Sequence, residues 1–253
     1  MAMPAYQAGK TIEDVFRRIP SETARRLYRI LVVDDGSRDD TAAAIGRLAG
    51  RWPCLVPLRH QTNRGYGAAI KTLLTAARCE EADAVIVVHA DGQYAPERIP
   101  DLLAPLDDGA ADLVQGSRLL GGGARAGGMP LYKYVANRAL TRIENAVFGL
   151  RLAEYHSGYL AYARSFLDAV AFEGFSDSFD FDLEMMAAAR AGGYRIREVP
   201  IPTRYAGETS HLRSIPYGLR VLRVVIRYLR GHYRARVRPA PTVGLLTRRE
   251  AAG

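Results

Sequence analysis

Short apolar runs that end in polar or glycine-rich turns recur along the chain and predict the strands of a sheet. Residues 85–88 are four aliphatic side chains in a row, which is typical of a strand buried on both faces. Helix-like stretches separate the first four runs, and this alternation predicts an α/β fold with a mostly parallel sheet flanked by helices. The predicted strands are 30–33, 55–58, 84–88, 113–115, 159–162 and 196–200, and the predicted helices are 41–49, 66–77, 96–106 and 131–148.

The first residues of the chain depart from this alternation. An α/β domain usually opens with a complete strand, whereas Pro4, Ala5 and Tyr6 follow only three residues here. We expect a central strand at this place to be very short, or the chain to be truncated. The pattern as a whole predicts one α/β domain over residues 1–212 and a basic segment over 213–253.

Positive charge is concentrated at the end of the chain. The formal net charge is +8, yet residues 1–212 have a net charge of −1, and residues 213–253 hold ten arginines and one glutamate. Arginines at three- and four-residue steps predict a basic amphipathic helix over 219–234. Such a helix could lie on an anionic membrane as a peripheral contact, or pack on its own domain with its arginines in water. The arginines of this pattern are Arg220, Arg223, Arg227, Arg230 and Arg234.

The composition is that of an ordinary soluble protein. The chain has 253 residues, of which 48% are hydrophobic and 25% charged, enough for a full core without disulfides. It has two cysteines, Cys54 and Cys79, and no apolar segment near the length that crosses a bilayer. We therefore expect a reduced, cytoplasmic protein.

The five residues His89, Ala90, Asp91, Gly92 and Gln93 follow the apolar run 85–88. They are expected at the carboxyl edge of the sheet, where open α/β folds bind ligands. Asp91 and Gln93 offer oxygen ligands and His89 an imidazole, a set suited to Mg²⁺ or Mn²⁺. The alternative is an ordinary Asp-Gly turn in which the histidine only fills a strand end.

Two further segments could bind a nucleotide. Asp34 and Asp35 directly follow a predicted strand, where carboxylates can accept hydrogen bonds from a base or a ribose, or only shape the turn. Residues 63–71 combine close glycines with a helix start, which lets backbone amides approach a phosphate. Because Ile70 stands where a dinucleotide fingerprint has its third glycine, we do not interpret this segment as a nicotinamide site.

Acidic residues cluster at the head of a later helix that runs through Arg190. Asp182 and Glu184 are candidate general bases that could take a proton from an acceptor hydroxyl or amine. Acidic residues also favour a helix start for electrostatic reasons alone. Further along, residues 204–211 are polar and cationic, as a loop that closes over a diphosphate should be, although a plain surface loop is the alternative.

In their joint order, these segments resemble the family 2 glycosyltransferases of the GT-A (Rossmann-like) fold, in the branch of the dolichol-phosphate mannosyltransferases and related bacterial enzymes. Residues 4–6 resemble the start of P-A-Y-N-E, 34–37 match D-D-G-S, and 63–71 match N-x-G-x-G-x-A-x-K. Residues 89–93 resemble D-A-D-x-Q in a bacterial variant that begins with histidine. Residues 116–118 are similar to G-S-R, 156–159 to H-T-G-Y, and 181–184 to F-D-x-E.

The resemblance implies an inverting transfer of a hexosyl group from a UDP- or GDP-linked sugar to a polyprenyl phosphate or to a soluble small-molecule or carrier acceptor. It implies Mg²⁺ or Mn²⁺ at Asp91 and Gln93, with His89 a weaker candidate ligand. Nucleotide-sugar binding is implied for Pro4, Ala5, Tyr6, Asp34, Asp35, Gly67, Lys71, Ala90, Arg118, Arg204 and His211, and acceptor binding for His156, Ser157 and Gly158. A phosphate acceptor is already a nucleophile, whereas a hydroxyl or amine acceptor makes Asp182 the candidate base.

Other functions stay open at this point. A sugar nucleotidyltransferase would release pyrophosphate instead of a nucleoside diphosphate, and a non-catalytic nucleotide-sugar binding module would release neither. Nucleic-acid binding rests only on the arginine-rich segment, and we expect no nucleic-acid partner. The sequence leaves the sugar, the base, the acceptor and the oligomeric state undetermined.

Overall fold

The computed structural model of the protein describes residues 1–122, 131–202 and 214–241. Its seven strands are β1 (Ala2–Ala5), β2 (Ile30–Asp35), β3 (Leu55–His60), β4 (Ala84–Ile86), β5 (Leu113–Ser117), β6 (Leu160–Ala163) and β7 (Ile196–Pro200). The α-helices of the described residues are α1 (Ile12–Arg17), α2 (Ser21–Arg26), α3 (Thr41–Ala49), α4 (Tyr66–Arg78), α5 (Ile99–Asp107), α6 (Leu131–Phe148), α7 (Arg164–Ala169), α8 (Phe181–Gly192) and α9 (Ser214–Leu229).

The strands form a mostly parallel sheet in two parts, with the orders β1-β2-β3 and β4-β6-β5-β7. A parallel bridge between Ala2 and Val87 and a hydrogen bond of 3.0 Å from Val88 N to Ala2 O join β1 to the end of β4. The sheet order is therefore β3-β2-β1-β4-β6-β5-β7. The predicted α/β fold is confirmed, and β1, with four residues, lies in the centre of the sheet.

Alternate residues of the central strands enter different cores, one on each side of the sheet. In β2, Leu31 and Val33 join one cluster of buried side chains, whereas Ile30 and Val32 join the other. Residues 85–88 divide between the two clusters in the same way. This is the burial on both faces that a continuous apolar run predicts.

Strand β6 runs antiparallel to both of its neighbours, β4 and β5. Its first residue, Leu160, therefore lies at the edge of the sheet where β4 and β5 have their carboxyl ends. Residues 156–159 precede β6 and so reach the same edge as residues 89–93. One reversed strand thus brings the predicted acceptor segment beside the predicted metal segment.

Both outermost strands of this sheet carry a proline. Pro57 lies in β3 opposite Val32, and Pro200 ends β7 opposite Ser117. Proline lacks the N–H that a central strand needs for its ladder, so edge strands are where it is tolerated.

Two predicted helices differ from their expected bounds by more than one residue. The helix predicted over 96–106 is a 3₁₀ turn, Pro96–Arg98, followed by α5. The helix predicted over 219–234 starts earlier and ends at Leu229, because Gly231 takes a positive φ of 76° that ends the helix. Val221 and Val224 of α9 are buried, and the helix packs on α6 and α8.

Within the described residues, the helices are all too short or too polar to cross a bilayer. The boundary proposed between residues 212 and 213 lies outside the described residues and stays a prediction, as do the ligand roles of Arg204 and His211.

Candidate active site

The carboxyl ends of β1, β2, β4 and β5 meet at one edge of the sheet, and most of the predicted site residues lie there. Pro4 and Ala5 belong to β1, and Tyr6 follows them with 47% of its surface exposed. Gln7 has a φ of 52°, a left-handed conformation that no other non-glycine residue of the described chain adopts, and its amide donates to Ser37 Oγ over 3.0 Å. This strained turn ties the end of β1 to the turn after β2.

The two carboxylates at the end of β2 have different partners, although both are buried. Asp34 accepts a hydrogen bond of 2.9 Å from Ser37 N through Oδ1. Its Oδ2 lies 3.6 Å from Arg59 Nε and has no hydrogen-bond partner within the described chain. A buried carboxylate oxygen without a donor fits a ligand that brings its own N–H or O–H, such as a base or a ribose.

Both carboxylate oxygens of Asp35, by contrast, have partners within the protein. Its Oδ1 accepts from Arg64 N over 2.9 Å and lies 2.6 Å from His60 Nδ1, and its Oδ2 accepts from Gly65 N over 3.0 Å. Its side chain therefore holds the turn before α4. Direct contact of Asp35 with a nucleotide stays a prediction.

The segment after β4 contains the predicted metal ligands. Asp91 Oδ1 accepts from Gln93 N over 3.0 Å, and Gly92 between them has a φ of 76°, so the segment forms a tight Asx turn. Ala90 is buried, and its carbonyl oxygen accepts a hydrogen bond of 2.7 Å from Thr11 Oγ1. Asp91 and Gln93 are both half-buried at the edge of the sheet.

Tyr66 connects this segment to the acidic head of α8. Its hydroxyl donates to Asp182 Oδ2 over 2.8 Å and lies 3.1 Å from His89 Nε2. The Tyr66 ring also stacks on Phe179, with ring centres 5.4 Å apart. The sequence interpretation missed Tyr66, because a tyrosine between two glycines carries no signal for a partner so distant in the chain.

Burial makes Asp182 and His89 harder to ionise. Burial raises the pKa of Asp182 to about 7, and the hydrogen bond from Tyr66 limits that rise. The pKa of His89 is lowered, because the enclosure of its ring outweighs the opposite effect of the Asp91 carboxylate. His89 Nε2 has Tyr66 as its partner, and its binding to metal stays a prediction.

Gly158 makes the close approach of these side chains possible. A Cβ atom on Gly158 would lie 2.8 Å from His89 Nε2 and 2.9 Å from the Tyr66 hydroxyl, so a larger residue would push them apart. The Gly158 amide donates to the Tyr94 hydroxyl over 2.9 Å. The predicted acceptor segment thus packs directly on the residue that starts the predicted metal segment.

The family described as "Glycosyl transferase family 2" matches residues 1–170, which is more than half of the chain. The chain belongs to this family. Its relatives place it in the branch of the dolichol-phosphate mannosyltransferases.

Two curated relatives are similar over most of their length. A polyprenol monophosphomannose synthase of Mycolicibacterium smegmatis is 32% identical over 201 residues, which cover 79% of this chain and 74% of the relative. A UDP-N-acetylglucosamine–dolichyl-phosphate N-acetylglucosaminyltransferase of Methanococcus voltae is 28% identical over 217 residues, covering 81% and 85%.

Solved structures show the same fold. A glucosyl-3-phosphoglycerate synthase of Mycobacterium tuberculosis, in complex with Mn²⁺, UDP and phosphoglyceric acid, has a TM-score of 0.61 at 22% identity. The alignment covers 96% of this chain and 80% of that one. The fold of this family 2 glycosyltransferase is therefore GT-A.

Three other predicted site residues of the glycosyltransferase contact one segment, residues 173–178. A Cβ on Gly67 would collide with the Ser176 carbonyl oxygen, and Lys71 Nζ lies 2.6 Å from Asp177 Oδ1. Glu184 is fully buried and accepts from Ser176 N over 2.5 Å. Glu184 also accepts from the Tyr233 hydroxyl over 2.9 Å and Arg227 Nη1 over 3.0 Å.

These contacts give Gly67, Lys71 and Glu184 clear structural roles. All three hold the segment that leads into α8, and so they set the position of Asp182. Because the Glu184 carboxylate already has three donors, the geometry favours Asp182 of the two candidate bases. The ligand roles predicted for Gly67 and Lys71 and the catalytic role of Glu184 stay predictions.

The segment before β6 is held by a second set of ionic contacts. Arg118 pairs with the buried Glu154 and donates to the His156 carbonyl oxygen over 2.8 Å. Burial opposes the ionisation of Glu154, but Arg118 outweighs it and keeps the pKa of Glu154 below its usual value. His156 Nδ1 lies 3.0 Å from the Tyr217 hydroxyl, and the carbonyl oxygen of the buried Ser157 accepts from Gln115.

The residues present fit a divalent ion that is shared with a substrate. Within the described ranges, no three histidine, cysteine, aspartate or glutamate side chains converge to form a metal cage. Mg²⁺ and Mn²⁺ do not require one, because such ions are often bound by one or two carboxylates together with substrate phosphates and water. Asp91, half-buried at the carboxyl edge, is suited to that partial role.

Proposed function

We propose that the protein transfers a hexosyl group, with inversion, from a UDP- or GDP-linked sugar to the phosphate of a polyprenyl phosphate. The observation that carries the proposal is the contact of Tyr66 with both Asp182 and His89. It brings an acidic side chain to the segment that would bind the diphosphate. The relatives named for polyprenol and dolichyl phosphates support this acceptor class.

The nucleotide would bind across the ends of β1 and β2. The exposed ring of Tyr6 offers an apolar face for the base, and Asp34 Oδ2 offers a buried acceptor without a donor. The diphosphate would then extend toward Asp91 at the end of β4. The strand order supports this path, because β1 lies between β2 and β4.

Asp91 and Gln93 would hold the metal ion. A bound Mg²⁺ or Mn²⁺ would neutralise the charge that develops on the diphosphate leaving group. The tight turn at Gly92 orients the Asp91 carboxylate before any ligand arrives, since Gln93 N already binds Oδ1. Fixed orientation of this kind lowers the cost of organising the site during the reaction.

Asp182 would act according to the acceptor. A phosphate acceptor needs no strong base, so Asp182 would then orient the acceptor. With a hydroxyl or amine of a soluble acceptor, Asp182 would accept the proton, and a pKa of about 7 suits that task near neutral pH. The effect of Asp182→Ala therefore reports on the acceptor class: the loss of activity should be much larger for a neutral acceptor.

We also propose peripheral contact with a membrane. Four large apolar side chains of α9 are exposed, and the neighbouring helix α6 exposes Leu131, Val135 and Ile143. An apolar face bordered by arginines suits an anionic lipid surface. The four side chains are Leu219, Leu222, Ile226 and Leu229.

A first experiment identifies the donor. Thermal unfolding is measured with UDP, GDP and their sugar nucleotides, with and without Mn²⁺; a ligand at a hundred times its Kd adds about 2.7 kcal/mol of stability. We expect one nucleotide series to stabilise the protein and Mn²⁺ to increase the effect. Asp91→Asn should lose the metal-dependent part, whereas Asp108→Asn, an exposed control, should keep it.

A second experiment tests the transfer. The selected sugar nucleotide is incubated with short-chain polyprenyl phosphates, and the released nucleotide is measured. We expect a nucleoside diphosphate and a glycosylated polyprenyl phosphate. Release of pyrophosphate would instead indicate a nucleotidyltransferase, and stabilisation without release would indicate a binding module. Full turnover by Asp91→Asn would disprove the metal assignment.

A further inference from the structure

A cavity beside the site described above is lined by three arginines. It has a volume of about 560 Å³ and lies between the turn before α4, the turn before α8 and the first half of α9. Arg64, Arg220 and Arg223 line it, together with Asp177 and Asp180. We call it the basic cavity.

The two acidic residues of the basic cavity are already paired. Asp177 Oδ1 lies 2.6 Å from Lys71 Nζ. Asp180 Oδ1 accepts from the Ser176 hydroxyl over 2.8 Å and lies 3.5 Å from Arg220 Nη1. Their negative charge is therefore balanced by neighbours, Lys71 among them.

Two of the three arginines have no acidic partner of this kind within the described chain. The guanidinium groups of Arg64 and Arg223 have no acidic or hydrogen-bond partner within the part of the chain that the structure describes. Guanidinium groups gathered around a cavity favour an anion that can accept several hydrogen bonds at once, and a phosphate group does so best.

The basic cavity borders the predicted nucleotide segment 63–71 and shares Arg64 with it. The Asp35 carboxylate binds the amides of Arg64 and Gly65, but the arginine side chain itself lines the cavity. On α9, Leu219 and Leu222 are next to the cavity arginines in sequence and are 66% and 40% exposed. A phosphate bound there would have apolar side chains nearby.

We propose that the basic cavity is a second anion site, which binds a phosphate group through Arg64, Arg220 and Arg223. The phosphate could belong to the headgroup of a membrane phospholipid or to a soluble phosphate ester. In the first case the site would fix the orientation of α9 on the bilayer, with the phosphate between its arginines and its apolar residues in the lipid. The proposal does not depend on sugar transfer.

The test uses the full chain and two matched double variants. Arg220→Gln/Arg223→Gln removes two charges from the basic cavity. Arg230→Gln/Arg234→Gln removes the same charge from exposed positions further along the chain. The single variant Arg223→Gln, whose side chain has no partner to lose within the described chain, guards against a folding defect in the first double variant.

Inorganic phosphate is titrated by calorimetry with EDTA present, so that no metal ion binds it, and without nucleotide, because the phosphates of UDP or GDP would compete for the basic cavity. We expect the wild type and the Arg230/Arg234 control to bind equally and the cavity variants to lose at least tenfold in affinity. Absence of phosphate binding by the wild type, or equal losses in both double variants, would overturn the proposal.

A vesicle arm separates the two sources of phosphate. Co-sedimentation is measured with vesicles of phosphatidylcholine alone and with vesicles in which about one lipid in five is phosphatidic acid. If the site takes a lipid headgroup, the cavity variants lose the gain from phosphatidic acid and the control keeps it. If only phosphate titration is affected, the ligand is a soluble phosphate ester. Retained stabilisation by the donor nucleotide shows that the transferase site is intact in every variant.

Discussion

The hydroxyl of Tyr66 donates a hydrogen bond of 2.8 Å to Asp182, a residue 116 positions further along the chain. Burial raises the pKa of Asp182 to about 7, and this hydrogen bond works in the opposite direction by stabilising the carboxylate. Tyr66→Phe removes the donor, so the pKa of Asp182 should rise further. A ¹³C NMR titration of the aspartate carboxyl groups measures it directly, without any substrate. Tyr28→Phe, at an exposed tyrosine, should leave the titration unchanged.

The raised pKa of Asp182 also predicts how stability varies with pH. The folded protein keeps a proton on Asp182 up to about pH 7, whereas the unfolded chain loses it near 3.8, so stability should fall as pH rises through this window. Asp182→Asn removes the effect. In urea unfolding, the free energy of unfolding of the variant relative to that of the wild type should rise by up to about 4 kcal/mol between pH 4 and pH 8. A difference that stays constant with pH would contradict the prediction.

Gly158→Ala should damage the site with little effect on the rest of the fold. The added methyl group would lie within 3 Å of both His89 and the Tyr66 hydroxyl, which must then separate. We expect kcat/KM for transfer to fall by at least about tenfold, or about 1.4 kcal/mol. Gly46→Ala in α3 is the control, since open space surrounds that position; it should keep full activity and add about 0.5–1 kcal/mol of stability.

Glu184→Gln should weaken the fold through the contacts of that residue. Its carboxylate accepts from Ser176, Arg227 and Tyr233, and an amide group can satisfy only part of this set. We expect a loss of about 1–3 kcal/mol in urea unfolding, against less than about 0.5 kcal/mol for the exposed Glu22→Gln. Unchanged stability combined with lost turnover would instead identify Glu184 as the catalytic base.

Local patterns in the sequence predict the frame of the site. The apolar run at 85–88 and its polar successor place Asp91 at the end of a central strand, and the same reasoning places Asp34. Both statements depend on neighbours in the chain, because burial on two faces and a turn are local properties. The antiparallel β6 could not be derived in this way, since its direction depends on strands far away in the sequence.

The contacts between these elements could not be predicted. The link from Tyr66 to Asp182 exists because α4 and α8 start at the same place in space, which no periodicity records. Lys71 shows the same limit: the family resemblance implies a contact with the nucleotide sugar, yet its ammonium group lies 2.6 Å from Asp177 Oδ1. The sequence indicates Glu184 as a second candidate base, because its three hydrogen-bond donors are known only from the fold.

The prolines of the outermost strands affect how readily the sheet can pair with a strand of another molecule. A free strand edge with regular N–H and C=O groups can recruit a strand from another molecule, and this is a common first step toward aggregation. Pro57 in β3 and Pro200 in β7 each remove one N–H from the two edges of the described sheet. A foreign strand would meet a gap in its ladder at either edge, so each proline makes its edge a poorer template for pairing with another molecule.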